Sequence, residues 1–213
     1  MKKIIIILLV CVFSSAFLFA ADEIINIIAD RFHLFDDKIL FYSFAEINKG
    51  DFKLISRDFQ ILRERGEERT IEATQGVYIE FESGKATAVE LTYDLQTEIG
   101  KLSKDVEANI KTKDSTETVI VICDFLDFNM ALKQYSGEAE SEKKKIKLYK
   151  GDLYAESMEF TFNGETQVIV LKGMVYVEDP KNRRRLNGET VTLYLDTDEL
   201  DASKCVMTII TKN

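Results

Sequence analysis

Apolar and polar residues alternate along most of this chain, and one alternating phrase returns about every 34 residues. It appears as Val89-Glu90-Leu91-Thr92-Tyr93-Asp94, Phe125-Leu126-Asp127-Phe128-Asn129, Met158-Glu159-Phe160-Thr161-Phe162-Asn163 and Val191-Thr192-Leu193-Tyr194-Leu195-Asp196. The closing residues lie 35, 34 and 33 positions apart, and a weaker copy ends at Gln60. A period of two within each phrase predicts a β-strand. A fixed longer period predicts a repeat architecture, in which no unit can bury its apolar face alone and each stacks on its neighbours. A helical array would need an i, i+3, i+4 apolar stripe, which these units lack.

The same alternation places the other elements. Residues 38–47 read as a strand with Ile39, Phe41 and Ile47 on one face, and residues 54–62 as the next. The run from Ile71 to Phe81 puts Ile71, Ala73, Val77, Ile79 and Phe81 opposite Glu72, Thr74, Tyr78 and Glu80. Leu102, Val106, Ala108 and Ile110 oppose Asp105, Glu107, Asn109 and Lys111. Val119-Ile120-Val121-Ile122 is apolar on both faces, as in a fully covered strand, and Asp124 then marks a bulge or bend. Strands are further expected over 158–162, 168–177, 190–195 and 205–210, while 23–31 reads equally as a short helix or a leading strand. Turn chemistry separates them at Gly66-Glu67-Glu68, Ser83-Gly84-Lys85, residues 96–98 and Lys113-Asp114-Ser115, and Asn163-Gly164 predicts a tight hairpin. No composition shift divides residues 22–213, which read as a single β-repeat domain.

Residues 1–21 read as an export signal. Lys2 and Lys3 precede a mainly apolar stretch from Ile4 to Phe19, and Leu18-Phe19-Ala20 offers a small-residue cleavage site. The alternative is an uncleaved N-terminal membrane anchor, since Ile4 to Ala21 is at the short end of what spans a bilayer. Cys11, after Leu8-Leu9-Val10, is a poor lipidation site because Val10 is bulky. Either reading places the protein in the periplasm or at its inner face. Two cysteines would survive cleavage, Cys123 and Cys205. An oxidising compartment permits one bridge between them, and two separate thiols are the alternative.

Charge and composition narrow the function. The chain carries 28 basic and 37 acidic residues, a net charge of −9. That argues against nucleic acid, whose binding rests on cationic contacts to phosphate. His33 is the one histidine, so neither a histidine triad nor a multi-histidine metal site is available. The carboxylates alternate with apolar residues, as on the solvated face of a strand, and no glycine-rich phosphate loop occurs. No enzyme activity, cofactor or metal is expected. Two basic clusters, Lys143-Lys144-Lys145 and Arg183-Arg184-Arg185, read first as solubilising loops and edge guards, and second as contacts to an anionic ligand group.

The stretch Val168-Ile169-Val170-Leu171-Lys172-Gly173-Met174-Val175-Tyr176-Val177 leads into Arg185-Leu186-Asn187-Gly188-Glu189 and then Val191-Thr192-Leu193-Tyr194-Leu195-Asp196. This resembles the OstA-like family of lipopolysaccharide-transport proteins, to which LptA, LptC and the N-terminal domain of LptD belong. In that family a strand of the form L-x-G-x-V-x-V precedes a strand ending in Asp. Thr74-Gln75-Gly76-Val77-Tyr78-Ile79 is a second glycine phrase, and Ala29-Asp30-Arg31-Phe32 resembles the family's strand start. Where a further glycine would stand, this chain has Asp105-Val106-Glu107-Ala108.

The resemblance implies an all-β fold: a folded-over antiparallel β-jellyroll built from repeated strand pairs. It further implies an apolar groove that holds the acyl chains of a lipopolysaccharide-type glycolipid and passes them toward the outer membrane. The groove residues it implies are Ile71, Val77, Ile79, Phe81, Val89, Leu91, Tyr93, Leu126, Phe128, Phe160, Phe162, Ile169, Leu171, Val175, Val177, Val191, Leu193 and Leu195. Inner- and outer-membrane transport components would join through edge strands, as would other copies head to tail. Two rivals stay open. One is an LptC-like subunit tethered by residues 1–21. The other is a structural envelope β-repeat with a dry core and no ligand.

Overall fold

The computed structural model describes residues 25–113 and 118–209. The export signal, Cys11, Asp114-Ser115 and the last four residues lie outside the described residues. The strands are β1 (Asn26–Leu34), β2 (Lys38–Lys49), β3 (Phe52–Glu64), β4 (Glu67–Phe81), β5 (Gly84–Asp94), β6 (Ile99–Lys111) and β7 (Thr118–Asn129). Then follow β8 (Gln134–Glu138), β9 (Ile146–Lys150), β10 (Leu153–Ser157), β11 (Glu159–Asn163), β12 (Val168–Asp179), β13 (Arg184–Tyr194), β14 (Glu199–Ser203) and β15 (Val206–Ile209). They form one 15-stranded sheet whose pairings are all antiparallel. The segment that the sequence left undecided near residue 26 is a strand.

From β1 to β7 the chain is a plain meander, each strand paired with the next. Beyond β7, short strands share the place of one long one. Both β8 and β9 pair with β7, both β10 and β11 with β12, and both β14 and β15 with β13. Each break falls level with the middle of the long strands.

That level is a crease. Register shifts lie at Phe41/Ala45 in β2, Thr74/Val77 in β4, Thr87/Glu90 in β5, Ser103/Val106 in β6 and Lys172/Val175 in β12. Left-handed backbone accompanies them at Ser43, Gln75-Gly76, Lys104-Asp105, Gly173-Met174 and Lys204. A bulge bends a strand and re-aims its side chains. A row of bulges in register bends the whole sheet along one line. The bend that Asp124 foreshadowed is carried by its partner strand, where Lys104 and Asp105 stand between the pairs Ser103–Phe125 and Val106–Cys123. Asp105, at φ 52°, occupies the left-handed place that Gly76 holds in β4, and Lys104 the place that Gly173 holds in β12.

The crease divides the sheet into two leaves. The first contains the strand halves that meet at the β2–β3, β4–β5, β6–β7, β9–β10 and β12–β13 hairpins. The second contains those that meet at the β3–β4, β5–β6, β7–β8, β11–β12 and β13–β14 hairpins. The inner faces of both leaves are buried as one apolar cluster, from Phe41 at one end to Leu186 and Leu195 at the other. Removal of that surface from water, at roughly 25 cal/mol per Å², is the main force holding the leaves together.

The closing Asp or Asn of the repeated phrase has a structural reason. Asp94 Oδ1 accepts from the backbone N–H of Gln96 (2.9 Å) and Thr97 (2.8 Å). Asn129 Oδ1 accepts from Leu132 N (3.0 Å), and Asn163 Oδ1 from Glu165 N (2.9 Å) and Thr166 N (3.0 Å). Each of these three phrases is thus a strand of the second leaf plus the side chain that turns the chain at its end. In the last copy the strand pairing stops at Tyr194–Glu199, so Asp196 lies inside the loop, two positions beyond that capping place.

Three sequence expectations need correction. Val119 and Val121 are buried, but Ile122 is 38% exposed, so this run faces solvent on its outer side. The Asn163-Gly164 hairpin has a four-residue loop, because Asn163 pairs with Val168. Val89 lies between the two register anchors Thr87 and Glu90 and is only half-buried, while Ala88 takes the inward place.

Candidate functional site: an apolar interior with a latched mouth

The residues expected to line a groove lie on the inner faces of the two leaves. Val77, Ile79, Phe81, Val175 and Val177 belong to the first leaf. Ile71, Leu91, Tyr93, Leu126, Phe128, Phe160, Phe162, Ile169, Leu171, Val191 and Leu193 belong to the second, with Leu195 in the loop that follows. All of these are buried; Val89 alone stands apart from them. The inner face of the second leaf is rich in rings, and Tyr93 stacks at 5.9 Å on Phe128 and Tyr135 at 5.7 Å on Phe162. The interior of the first leaf is mainly aliphatic, with Ala86, Ala88, Ala108 and Ala155 among its buried positions and rings at Phe52 and Phe81 near the hairpins.

Two glycines make room for the rings. Gly100 pairs with Phe128, and a Cβ on it would lie 2.3 Å from the ring. Gly137 pairs with Phe160, and a Cβ there would lie 2.5 Å from that ring. Each phenyl group lies over the bare backbone of its neighbour. Polar groups inside are few among the described residues. Ser56 Oγ bonds to the carbonyls of Asp58 and Thr74, whereas the buried Ser157 hydroxyl has no partner.

Opposite the crease the two leaves meet at a mouth, closed by contacts between hairpins. Lys49, beside the β2–β3 hairpin, donates to the Leu95 carbonyl (3.1 Å) and to Glu98 Oε1 (3.0 Å) in the β5–β6 hairpin. Glu82 and Ser83 of the β4–β5 hairpin meet Lys133 (2.7 Å) and Tyr135. Lys113 N, after β6, donates to Gln167 Oε1 (3.1 Å) before β12. Lys150, beside the β9–β10 hairpin, donates to the Leu195 carbonyl (2.9 Å) and pairs with Asp198. Beneath them, Phe52 stacks on Tyr93 at 4.6 Å and Phe81 on Tyr135 at 5.5 Å.

Electrostatics strengthen these latches. The ammonium of Lys133 holds the Glu82 carboxyl below its usual range, and Glu82 in turn raises Lys133. Hydrogen bonding from Lys150 likewise lowers Asp198. Burial pushes the Tyr135 hydroxyl upward. At neutral pH Glu82 and Asp198, both lowered, are carboxylates, and Lys133, raised, is an ammonium.

Lys49-Gly50-Asp51 and Lys150-Gly151-Asp152 are the same turn in two places. Gly50 and Gly151 both have φ 55°, and each lysine reaches the carbonyl of a leucine, Leu95 or Leu195, and an acid three residues later. The two turns lie 101 residues apart, about three of the 34-residue units, so the latch recurs in step with the repeat. That signal stood in the sequence as a repeated Lys-Gly-Asp, and strand periodicity alone passes over it.

A cavity of about 200 Å³ lies under the first of these latches, lined by Lys49, Phe52, Phe81, Tyr93, Met130 and Tyr135 among others. A cavity of about 120 Å³ lies under the second, lined by Lys150, Leu153, Leu193, Leu195 and Leu200 among others. These are on the scale of the roughly 150 Å³ that admits one benzene ring. Neither holds an acyl chain as it stands.

The remaining sequence candidates sit elsewhere. Both thiols are free, Cys123 buried and Cys205 exposed, so no bridge joins them. His33, on β1, stacks on Phe35 at 4.5 Å. Among the described residues no helix is long and apolar enough to cross a membrane, and no group of three or more metal-ligating side chains occurs.

No protein-family model matches the sequence, and no curated protein matches it. Among solved structures the chain is similar to LptH of Pseudomonas aeruginosa, described as the LptA-homologous periplasmic component of the conserved lipopolysaccharide transport device. The match has 8% identity and a TM-score of 0.33, over 71% of this chain and 83% of that one. At that level it assigns no function. The fold class rests on the chain's own strands and pairings.

Proposed function

We propose that the protein is a periplasmic carrier for an acylated glycolipid of the lipopolysaccharide type, taking its acyl chains between the two leaves and handing them on toward the outer membrane. One observation carries this reading: the interior is apolar along the whole length of the sheet, and the sheet ends at both sides in an edge strand. At the N-terminal edge, β1 exposes Ile28, Phe32 and Leu34; at the C-terminal edge, β15 exposes Val206, Met207 and Ile209. Exposed apolar edge strands invite pairing with another chain. An apolar channel open to such neighbours suits transfer without catalysis, since each buried CH₂ is worth about 0.8 kcal/mol and an equally apolar neighbour offsets it.

The partners in this reading are the glycolipid, inner- and outer-membrane transport components at the two edges, and further copies of this chain in a head-to-tail array. The signal is cleaved and residues 22–213 form the working domain. In the tethered variant of the same function, residues 1–21 are retained as an anchor. The filled interior favours one other reading, a structural envelope repeat whose core never opens.

Native mass spectrometry of the mature protein from its own envelope tests the proposal, with extraction of co-purifying lipid. The expected result is a stoichiometric acylated glycolipid, lost in Phe128→Asp or Phe160→Asp variants that retain β circular dichroism. A lipid-free protein that also takes up no fluorescent lipid A analogue would leave the structural repeat standing.

A further inference from the structure

Crease and mouth differ in how they are held. At the crease the two leaves are joined by continuous chain through bulges, where ladder bonds are interrupted and left-handed residues set the bend. At the mouth, every hydrogen bond described above has a side chain on at least one side. The backbone bonds between hairpins at this level each stay within one leaf: Leu95 N to Arg69 O, Met130 N to Glu98 O and Leu195 N to Gln167 O in the second, Lys111 N to Ser83 O in the first. Opening the mouth therefore severs side-chain latches and apolar contacts, while both leaves keep their ladders.

The latches are also separable. Each joins a different pair of hairpins, and each hairpin of the first leaf meets one that lies further along the chain: β2–β3 meets β5–β6, β4–β5 meets β7–β8, and β9–β10 meets β13–β14. One latch can open while those on either side stay shut. The two cavities under the Lys49 and Lys150 latches are ring-sized, so an acyl chain does not fit them as they stand. It must part the leaves.

We infer that the mouth is the loading slit of the carrier: saturated acyl chains enter sideways between the leaves as the Lys49, Glu82–Lys133 and Lys150 latches open in turn, with the crease as hinge. This rests on the carrier reading and adds the route and its gates. It differs from end-on threading, in which chains slide in past β1 or β15 and the latches stay closed.

A tether across the mouth separates the two routes. Glu82 and Lys133 face each other there at 2.7 Å, and both side chains are exposed, 64% and 41%. A Glu82→Cys/Lys133→Cys variant with Cys205→Ser can be bridged after folding by a cleavable bis-maleimide. Cys123 stays out of the reaction, being buried with its thiol pushed up to about 12. The readout is the uptake rate of a fluorescent lipid A analogue, with circular dichroism to show that the fold is kept.

Slit loading predicts that bridging slows uptake by about tenfold or more, because the loading-competent fraction falls, and that cleaving the tether restores it. Lys49→Met and Lys150→Met should each speed uptake several-fold. Equal uptake by bridged and unbridged protein would overturn the slit and leave the carrier standing with end-on entry. Failure of the unbridged variant and of the wild-type protein alike to take up lipid would overturn both.

Discussion

Lys49 and Lys150 occupy the same place in two copies of one hairpin, and each ties the first leaf to a leucine carbonyl and an acid of the second. Their side chains are only 11% and 9% exposed, so both are nearly buried ammonium groups whose donors are used. Such a lysine holds the hairpin in one position, because an unpaired ammonium at that depth is costly.

Replacing either lysine by Met keeps the stem and removes the donors. Each change should lower stability by about 1–3 kcal/mol, the usual cost of leaving a partly buried carbonyl and its partner acid unpaired. Lys49 binds Leu95 and Glu98, and Lys150 binds Leu195 and Asp198, so the double variant should show nearly the sum. Urea unfolding followed by circular dichroism measures this. A double variant no worse than either single one would mean that the two latches act as one unit.

Much of the fold was legible in the alternation. Strands, their inner faces and most turns followed from a period of two, because a one-residue slip would expose every inward side chain. The Asp or Asn that closes each phrase was visible before its role as a turn cap was. The crease was less legible. Gly76 and Gly173 mark it, but Lys104-Asp105 takes the same left-handed backbone without glycine, and the alternation does not reveal that Val89 falls in a bulge, because a bulge adds residues without any composition signal. The mouth was barely legible. Its latches join hairpins far apart in the chain, and only the repeated Lys-Gly-Asp hinted at them.

The crease at Asp105 can be tested by backbone preference. Its φ of 52° is a conformation that aspartate tolerates, glycine takes freely and a β-branched residue resists. Asp105→Gly should leave stability within about 1 kcal/mol of the parent, whereas Asp105→Val should cost about 1–2 kcal/mol. Denaturation midpoints at constant slope would show the difference. Equal effects would mean that the bend at β6 does not depend on this residue.

Gly100 and Gly137 should tolerate no side chain. A Cβ at either would press on a phenyl ring, Phe128 or Phe160, within a filled interior. Gly100→Ala and Gly137→Ala should each destabilise by about 1–3 kcal/mol through overpacking. Pairing Gly100→Ala with Phe128→Leu should recover part of the loss, a coupling that a double-mutant cycle measures.

Acid should loosen the mouth before it unfolds the leaves. Glu82 and Asp198 have folded pKa values below their ordinary ones. Their contribution is complete above the unfolded carboxylate values, near 4, and is lost as pH falls through the lowered folded values. Lys133 is raised, so its side of the pair persists until pH climbs past the ordinary lysine value. Hydrogen exchange at the β4–β5 and β7–β8 hairpins should rise below about pH 4 while strand interiors stay protected. Glu82→Gln should show the faster hairpin exchange at neutral pH and little further change in acid.

A head-to-tail array, if it forms, should continue the pattern of mouth contacts from one copy to the next. Pairing β15 and β14 of one copy with β1 of another would bring the Pro180–Arg183 loop of the first toward the β1–β2 hairpin of the second, since within one molecule the β9–β10 loop meets the hairpin between β13 and β14 in the same relation. The charges match. Lys181 and Arg183 are exposed on one side, and Asp36 and Asp37 on the other, next to exposed Phe32, Leu34 and Phe35. Rim charges of this kind set register and encounter rate, and salt screens them. Analytical ultracentrifugation should therefore show concentration-dependent association that weakens in high salt. Asp36→Lys with Asp37→Lys should abolish it, and a partner carrying Lys181→Glu and Arg183→Glu should restore it in a mixture of the two variants. Association that survives the charge reversal unchanged would place the contact in the edge strands alone and remove the hairpins from it.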